Sequence, residues 1–465
     1  MKTYQDLISL GADENKRKEF VLEVVEKHRN SREYRIARDA EEYDRHQNVT
    51  INQYQKMLTN LLGQKVKDVY SANHKVISNF FDRFVTQENQ YLLGNGLTLQ
   101  DKNNKGKLGY DFDMRLIDMG RNALVEGVSF GFWDKDRLRV FRLTEFAPLY
   151  DEENGALRAG VRFWQIDSDK PLRMTLYEED GFTDYILRPK SKKVEKSKKV
   201  ETLQEKRTYI QIVKSSNIDG TEIFDGENYP GFPIIPMWAN EHHQSEIVGM
   251  RESIDCFDLI KSGFANNVDD ASEIYWIIKN SGGMDDDVSL AQFIERIKTV
   301  HAAAVDSESG SDATANTIDV PYEARKALLE RLEKDMYNDF MSFNVQQISA
   351  GSSTATEINA AYQPFDNKVD KFEACVLDFL GKLFELIGIS DEPKFNRSKI
   401  TNQLEVTQMV LMAAQYLDDE TILSKLPWLT AEEIEKVIKT KTAEDIERFG
   451  FKEDSKDANI AGRTN

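Results

Sequence analysis

What this sequence of 465 residues lacks narrows it first. It has two cysteines, Cys256 and Cys375, far apart and each inside an apolar helical pattern. That placement reads as two buried, reduced thiols and not as a disulfide or redox pair. There is no run of about eighteen apolar residues, so no transmembrane helix is expected. The opening Met1-Lys2-Thr3-Tyr4-Gln5-Asp6 has no apolar core of the signal-peptide kind, and the chain is expected to stay in the cytoplasm where it is made. Basic charge is also short, since 61 Lys and Arg face 80 Asp and Glu for a formal net charge of −19. A simple nucleic-acid binder would carry a basic face. An acidic surface repels phosphate and suits a protein that lets DNA pass without gripping it.

The motifs of catalysis are missing too. There is no Gly-x4-Gly-Lys-Ser/Thr cradle, and the pairs Gly106-Lys107 and Gly381-Lys382 are each followed by Leu, which leaves a P-loop ATPase without support. No serine sits in a Gly-x-Ser-x-Gly elbow. Of the six histidines only His242 and His243 adjoin, and neighbours on an extended chain point opposite ways, so no shared metal is expected there. Asp285, Asp286 and Asp287 form the best carboxylate cluster. Its spacing fits no standard metal loop, so it reads as a solvated helix cap ahead of a Mg²⁺ or Ca²⁺ site or a metal-dependent nuclease centre. No enzyme, cofactor or metal is expected.

What is present is a soluble globular balance, 40% hydrophobic and 30% charged, in a chain long enough for several structural regions. The most informative stretch runs from Pro321 to Ile389. Ala324, Leu328, Leu329, Leu332, Met336, Phe340 and Phe343 recur at steps of three and four, which puts them on one face of a helix. The next residues, Gln346 to Ser353, have no periodicity and read as a loop of small polar groups. Thr354 and Glu357 restart a helix as a capping box, and Pro364 is expected to kink or interrupt it. Beyond lies a wide apolar stripe of Phe365, Val369, Phe372, Val376, Phe379, Leu380, Leu383 and Ile387.

Before this stretch the pattern is α+β and mainly helical. Residues 1 to about 90 read as helical, with Phe20, Val21, Val24 and Val25 as one stripe. Arg29 to Arg45 alternates in sign, as an exposed helix does. Gln53 to Phe84 carries a stronger apolar pattern, and Gly94-Asn95-Gly96 reads as a turn between two short strands within Tyr91 to Leu99. A helix from about Asp111 should end at Gly127, and a β-rich subdomain of antiparallel hairpins should run from Val128 to Val213. Six lysines between Lys190 and Lys199, among them Lys192, Lys193, Lys196, Lys198 and Lys199, read as a solvated hairpin tip, with a phosphate- or partner-touching arm as the sharper alternative. The prolines of Tyr229 to Pro236 form a stiff connector to a helix expected over Glu246 to Ala265. An insert follows, with a strand at Ile274 to Lys279, a short helix capped by Asp287, a strand at Thr299 to Val305 and a loop at Ser307 to Asn316. The tail from Asp454 reads as disordered.

In this order the parts resemble the portal proteins of tailed bacteriophages, in particular the branch common in phages of Gram-positive bacteria. Tyr91 to Leu99 is similar to the family's Tyr-x-x-Gly-x-x-Leu segment, and Asn122 to Phe130 to its wing region. Tyr416 to Trp428, with the acidic helix Ala431 to Lys436 behind it, resembles the crown signature. The resemblance implies a wing over 1–245, stem helices at 246–272 and 320–344 around a clip at 273–319, a tunnel loop at 345–357, a long wing helix at 358–400, a crown at 401–453 and a tail at 454–465. It implies that Gln346, Gln347, Ser349, Gly351, Ser352, Ser353 and Thr354 face a DNA channel. Asp285, Asp286, Asp287, Ser307 and Ser309 would then meet a terminase or connector protein. The expected assembly is a homo-oligomeric ring of about twelve copies at one capsid vertex of the virion. Its expected partners are double-stranded DNA held without sequence preference, the terminase large subunit, head–tail connector proteins, and the major capsid and scaffolding proteins, with no membrane. A different non-enzymatic assembly factor, a scaffold or a connector subunit, is the alternative.

Overall fold

The computed structural model describes residues 2–59, 64–68, 72–189, 200–216, 222–270, 275–279, 312–316, 322–344 and 355–397, with isolated residues between 407 and 440. Residues 1–343 and 364–398 form one compact unit, and 344–363 with 399–465 form another. The first begins with α1 (Tyr4–Ser9), α2 (Glu14–Arg29), α3 (Arg32–Asp44) and α4 (Val49–Gln53), then a hairpin of β1 (Met57–Thr59) and β2 (Lys65–Lys67). α5 (Phe80–Leu93), β3 (Leu97–Thr98), α6 (Lys102–Lys107) and α7 (Phe112–Glu126) follow. The β-rich part holds β4 (Val128–Asp134), β5 (Arg137–Arg142), β6 (Phe146–Tyr150), β7 (Leu157–Trp164), β8 (Leu172–Glu178), β9 (Gly181–Leu187), β10 (Val200–Arg207), β11 (Ile210–Ser216), β12 (Glu222–Glu227) and β13 (Ile234–Trp238). After it come α8 (Arg251–Asp270), β14 (Tyr275–Lys279), β15 (Asp312–Asn316), α9 (Tyr322–Asp339), α10 (Ala355–Ile387), whose first residues belong to the second unit, and β16 (Lys394–Phe395).

The β-rich part is antiparallel, as its turn spacing predicts. One sheet has the order β10-β9-β8-β7-β6 and another β13-β4-β5. Phe20, Val21, Val24 and Val25 of α2 recur one turn apart and bury themselves on the first sheet against Leu149, Val161, Phe163, Met174 and Leu176. The second sheet alternates inward at Val128, Phe130 and Phe132, which join Phe141, Phe146, Tyr177 and Tyr209 in an aromatic core. α7 packs on β4 and β5 and stops where the sequence places its stop, with Gly127 at φ 93°. A Cβ there would stand 2.8 Å from the Ser245 amide nitrogen, so both conformation and space demand glycine. The α10 stripe is legible as well, since Phe365, Val369, Phe372, Val376, Phe379, Leu380 and Leu383 are all buried.

Several expectations are corrected. The described residues 54–59 and 64–66 are not helical, because Tyr54 is extended and β1 pairs with β2. Met57 and Val66 are exposed, so the apolar pattern had no core to face. Tyr91 to Leu93 is the last turn of α5 and not a strand, since burial of all three side chains extends that helix's packed face. Only Leu97–Thr98 forms a strand there, pairing with Lys394–Phe395. Asp312–Asn316, read as loop, is the antiparallel partner of β14, in a ladder made of backbone groups that needs no apolar signature. Thr299 to Val305 and the helix capped by Asp287 lie outside the described residues. The helix expected from Glu246 begins at Arg251, after a turn at 246–250. α10 runs through Pro364 without interruption, held from its next residue by the buried Phe365. The cysteines are free thiols but not buried ones: Cys256 is exposed and Cys375 half-buried. α8 turns Ile254, Phe257, Asp258, Ser262 and Asn266 inward, and Cys256 falls off that face.

Replacing Gly127 with Ala should lower thermal stability by about 1–3 kcal/mol, the cost of a left-handed non-glycine residue plus a displaced backbone neighbour. Calorimetry of the Gly127→Ala chain checks this, and an unchanged melting profile would remove the argument.

Candidate functional site

The chain leaves the first unit after Phe343 and returns at Pro364, and both ends of that excursion are held by α5. On the outgoing side Phe84 stacks on Phe340 with centroids 4.7 Å apart, and Arg83 reaches the Tyr337 hydroxyl. The Gln87 side chain donates to the Phe343 carbonyl at 2.9 Å and accepts from the Ser342 hydroxyl. α9 ends there by geometry: the Ser342 amide bonds the Tyr337 carbonyl at 2.9 Å, across Met341 at φ 55°. On the returning side the Tyr91 hydroxyl donates to Asp366 at 2.6 Å, and its ring packs against Phe365 at 4.9 Å. Arg397 closes the frame on Asp366, Asp370 and Glu373.

Between these two anchors lies a buried charge cluster. Lys368 of α10 places its Nζ 2.8 Å from Glu88 of α5 and 2.9 Å from Glu246 in the turn before α8, as ion-pair contacts without aligned hydrogen bonds. The same ammonium sits 3.1 Å from the centre of the Phe340 ring at the end of α9. One cation therefore ties four segments. It serves two carboxylates, and the sum is one negative charge too many for a dry site. Burial and the neighbouring Glu246 carboxylate push the Glu88 carboxyl up to about 7, against the pull of Lys368.

α8 is fixed by a second device. Ser78, Val76 and His74 donate their backbone N–H groups to Asp258 at 2.9 Å, Ser262 at 2.9 Å and Asn266 at 2.6 Å. Alternate residues of one segment meet every fourth residue of the helix. Two residues of extended chain span about 6.6 Å and four helical residues about 6 Å, so the two repeats stay in step. One turn N-terminal to Asp258, Asp255 accepts from Tyr43 and from Thr50, the latter at 2.6 Å. Neither this ladder nor the Lys368 cluster was found by sequence reasoning, which took the apolar positions of α8 as its packing face. The available signal was Asp258, Ser262 and Asn266 at a four-residue step within an apolar helix.

Gln346, Gln347, Ser349, Gly351, Ser352, Ser353 and Thr354 are outside the described residues. So are Lys192, Lys193, Lys196, Lys198 and Lys199, and so are Asp285, Asp286, Asp287, Ser307 and Ser309. The structure does describe what frames two of these groups: the α5 anchors on either side of 344–363, and the β14–β15 ladder that closes the base of 280–311. His243 stacks on Trp238 at 3.8 Å, and His242 lies 3.7 Å from the Glu241 carboxylate. No helix among the described residues is long and apolar enough to cross a membrane.

Residues 24–447 match the family described as phage portal protein, SPP1 Gp6-like. The chain belongs to that family. Among its relatives, the portal protein of Bacillus phage SPP1 is 23% identical over 413 residues, covering 79% of this chain and 76% of that protein. The portal protein of Clostridium phage phiCD119 is 27% identical over 215 residues, 44% of this chain, and the match spans about half of that relative's length, 47%. A chain from the virion of a native gene transfer agent particle aligns over 77% of this chain and 89% of its own at 12% identity, with a TM-score of 0.37, too low to carry an argument about fold.

For this portal-family chain the cluster sets a pH dependence. Glu88 holds its proton more tightly folded, near 7, than at its ordinary 4.5, so folding takes up a proton between those values and stability falls as pH rises through that window. Glu88→Gln should flatten this limb, removing roughly 1–3 kcal/mol of pH-dependent loss. Melts at pH 5 and pH 7.5 measure it, and equal slopes in both proteins would refute the assignment. Lys368→Met leaves the buried Glu88 and the partly buried Glu246 without their cation and should cost about 3 kcal/mol at neutral pH, read by urea unfolding.

Proposed function

We propose that this chain is the subunit of a phage portal. Copies related by ring symmetry enclose a passage at one capsid vertex, through which double-stranded DNA enters during packaging and leaves at ejection. The observation that carries this reading is the family match across residues 24–447. The frame around α5 supports it, because a segment meant to touch moving DNA needs fixed ends, and the residues flanking 344–363, Phe343 and Asp366, are both held by side chains of α5. Gln346, Gln347, Ser349, Gly351, Ser352, Ser353 and Thr354 would face the DNA with amides and hydroxyls, which contact phosphate weakly and without sequence preference.

In this reading 1–245 is wing, α8 and α9 lie in the stem regions 246–272 and 320–344, and 273–319 is the clip. The segment 345–357 is the tunnel loop, 358–400 the long wing helix and 401–453 the crown. The packing of α8 on α9 and the antiparallel closure of β14 on β15 support two stem helices joined by one insert. The terminase large subunit would dock at that insert and supply the energy of packaging, and connector proteins would take its place later. Major capsid and scaffolding proteins would surround the ring. The chain itself would carry no catalysis and would reside in the virion.

The purified 53.5 kDa chain should assemble into closed rings of about twelve copies with a central channel, seen by mass measurement and end-on imaging. A channel-less particle would point to a scaffold or connector role instead. Replacing Gln347 to Ser353 by a short Gly-Ser linker should leave ring assembly intact and reduce DNA packaging or retention in infected cells. Normal packaging would remove the loop's assigned role.

A further inference from the structure

The run from Arg29 to Arg45 alternates in sign along the sequence, but the fold sorts it. Its carboxylates mostly turn inward to partners: Asp39 pairs with Arg251 at 2.6 Å, Glu41 with Arg142 at 3.3 Å and Thr144 at 3.0 Å, and Asp44 with Arg121 at 2.6 Å. The arginines of the opposite side are left without a carboxylate among the described residues. Among the described residues Arg38 makes no hydrogen bond or ion pair, Arg35 bonds the Ser31 carbonyl at 3.4 Å, and Arg29 lies over the face of Phe163 with its Nε buried and without a hydrogen bond. These three line an open cleft of about 520 Å³ between the end of α2, the outer face of α3 and α4, together with Tyr34 and the amides Gln47, Asn52 and Gln53. With Asp39 answered by Arg251, the lining holds three arginines against one further carboxylate, Glu42. Planar guanidiniums and amides form a donor surface made for oxyanions.

We infer that this cleft is one side of the contact between neighbouring copies of the chain and receives a carboxylate-bearing surface of a second copy. The inference rests on the ring reading above. A ring is built from heterologous contacts, in which one patch of each copy meets a different patch of the next. On a chain of formal charge −19, a locally cationic cleft has its largest supply of matching carboxylates on the neighbouring copy. DNA is the less favoured occupant, because the net field of each acidic subunit opposes its approach.

The test is the mass distribution of the full-length chain at rising NaCl, for wild type and for R35E/R38E and R35Q/R38Q, with far-ultraviolet circular dichroism as the folding control. Wild-type rings should lose mass as salt rises. R35Q/R38Q should dissociate at lower salt, and R35E/R38E should shift the ring-to-monomer ratio at least tenfold towards monomer with unchanged helicity. Rings of all three with one salt midpoint would overturn the inference and leave the ring reading standing. Variants that assemble as wild type but lose retention of a random 30-base-pair duplex would overturn it in favour of DNA. A wild-type chain that stays monomeric would remove the ring reading and this inference with it.

Discussion

One ammonium group shared by a buried carboxylate and a partly buried one is the constraint on which the first unit depends. Lys368 reaches Glu88 and Glu246 and lies over Phe340, so α5, the turn before α8, the end of α9 and α10 meet at a single charge. Apolar packing alone would allow α10 to slide or rotate against α5, because Phe and Val side chains tolerate small shifts. A cation held between two carboxyl groups tolerates less, since a displaced contact leaves the buried Glu88 side of the cluster without its partner. Such a cluster adds little net stability over a hydrophobic substitute, and what it fixes is register. Register matters here because the anchors of 344–363, Gln87 on one side and Tyr91 on the other, sit one turn apart on the same helix that carries Glu88.

The ladder on α8 applies the same logic with backbone N–H groups as its donors. Backbone N–H groups of 74–78 would be costly to bury unpaired, and α8 meets them with an aspartate, a serine and an asparagine one turn apart. The helix thereby gains a fixed rotation and a fixed height against the N-terminal part. Both long helices that flank 275–316 are thus set by polar contacts, α8 along its second half by this ladder and α9 at its C-terminal end by Arg83 and Gln87.

Periodicity made much of the fold legible. The stripes of α2, α7 and α10, the stop at Gly127 and the antiparallel hairpins all follow from local rules, because each element presents one apolar face or one special backbone position. The misses have one cause. Strands β1, β2 and β15 are short ladders whose stability lies in backbone hydrogen bonds, which leave no mark on side-chain pattern. Pro364 violates a local rule that tertiary packing overrides, and Cys256 shows that an apolar neighbourhood in sequence is not a buried one in space. The polar pairs were illegible for a further reason. Glu88 and Lys368 are 280 positions apart, and neither residue differs in sequence from an ordinary surface charge.

The fold also changes what the formal charge means. The value of −19 counts every carboxyl as ionised, yet burial raises Glu88 to about 7 and holds Glu126, beside Glu41, well above the ordinary carboxylate range. Glu88 therefore carries less than its formal charge at neutral pH. Asp39, Glu41 and Asp44 are further matched by arginines within the chain, so their fields are short-ranged. The acidic character that reaches solvent is therefore smaller than composition states and unevenly distributed. It is interrupted at the α2–α3 face, where Arg29, Arg35 and Arg38 remain unmatched by any carboxylate among the described residues except the nearby Glu42. Net charge argues only about long-range approach, and contact chemistry is decided by which charges the fold has already consumed.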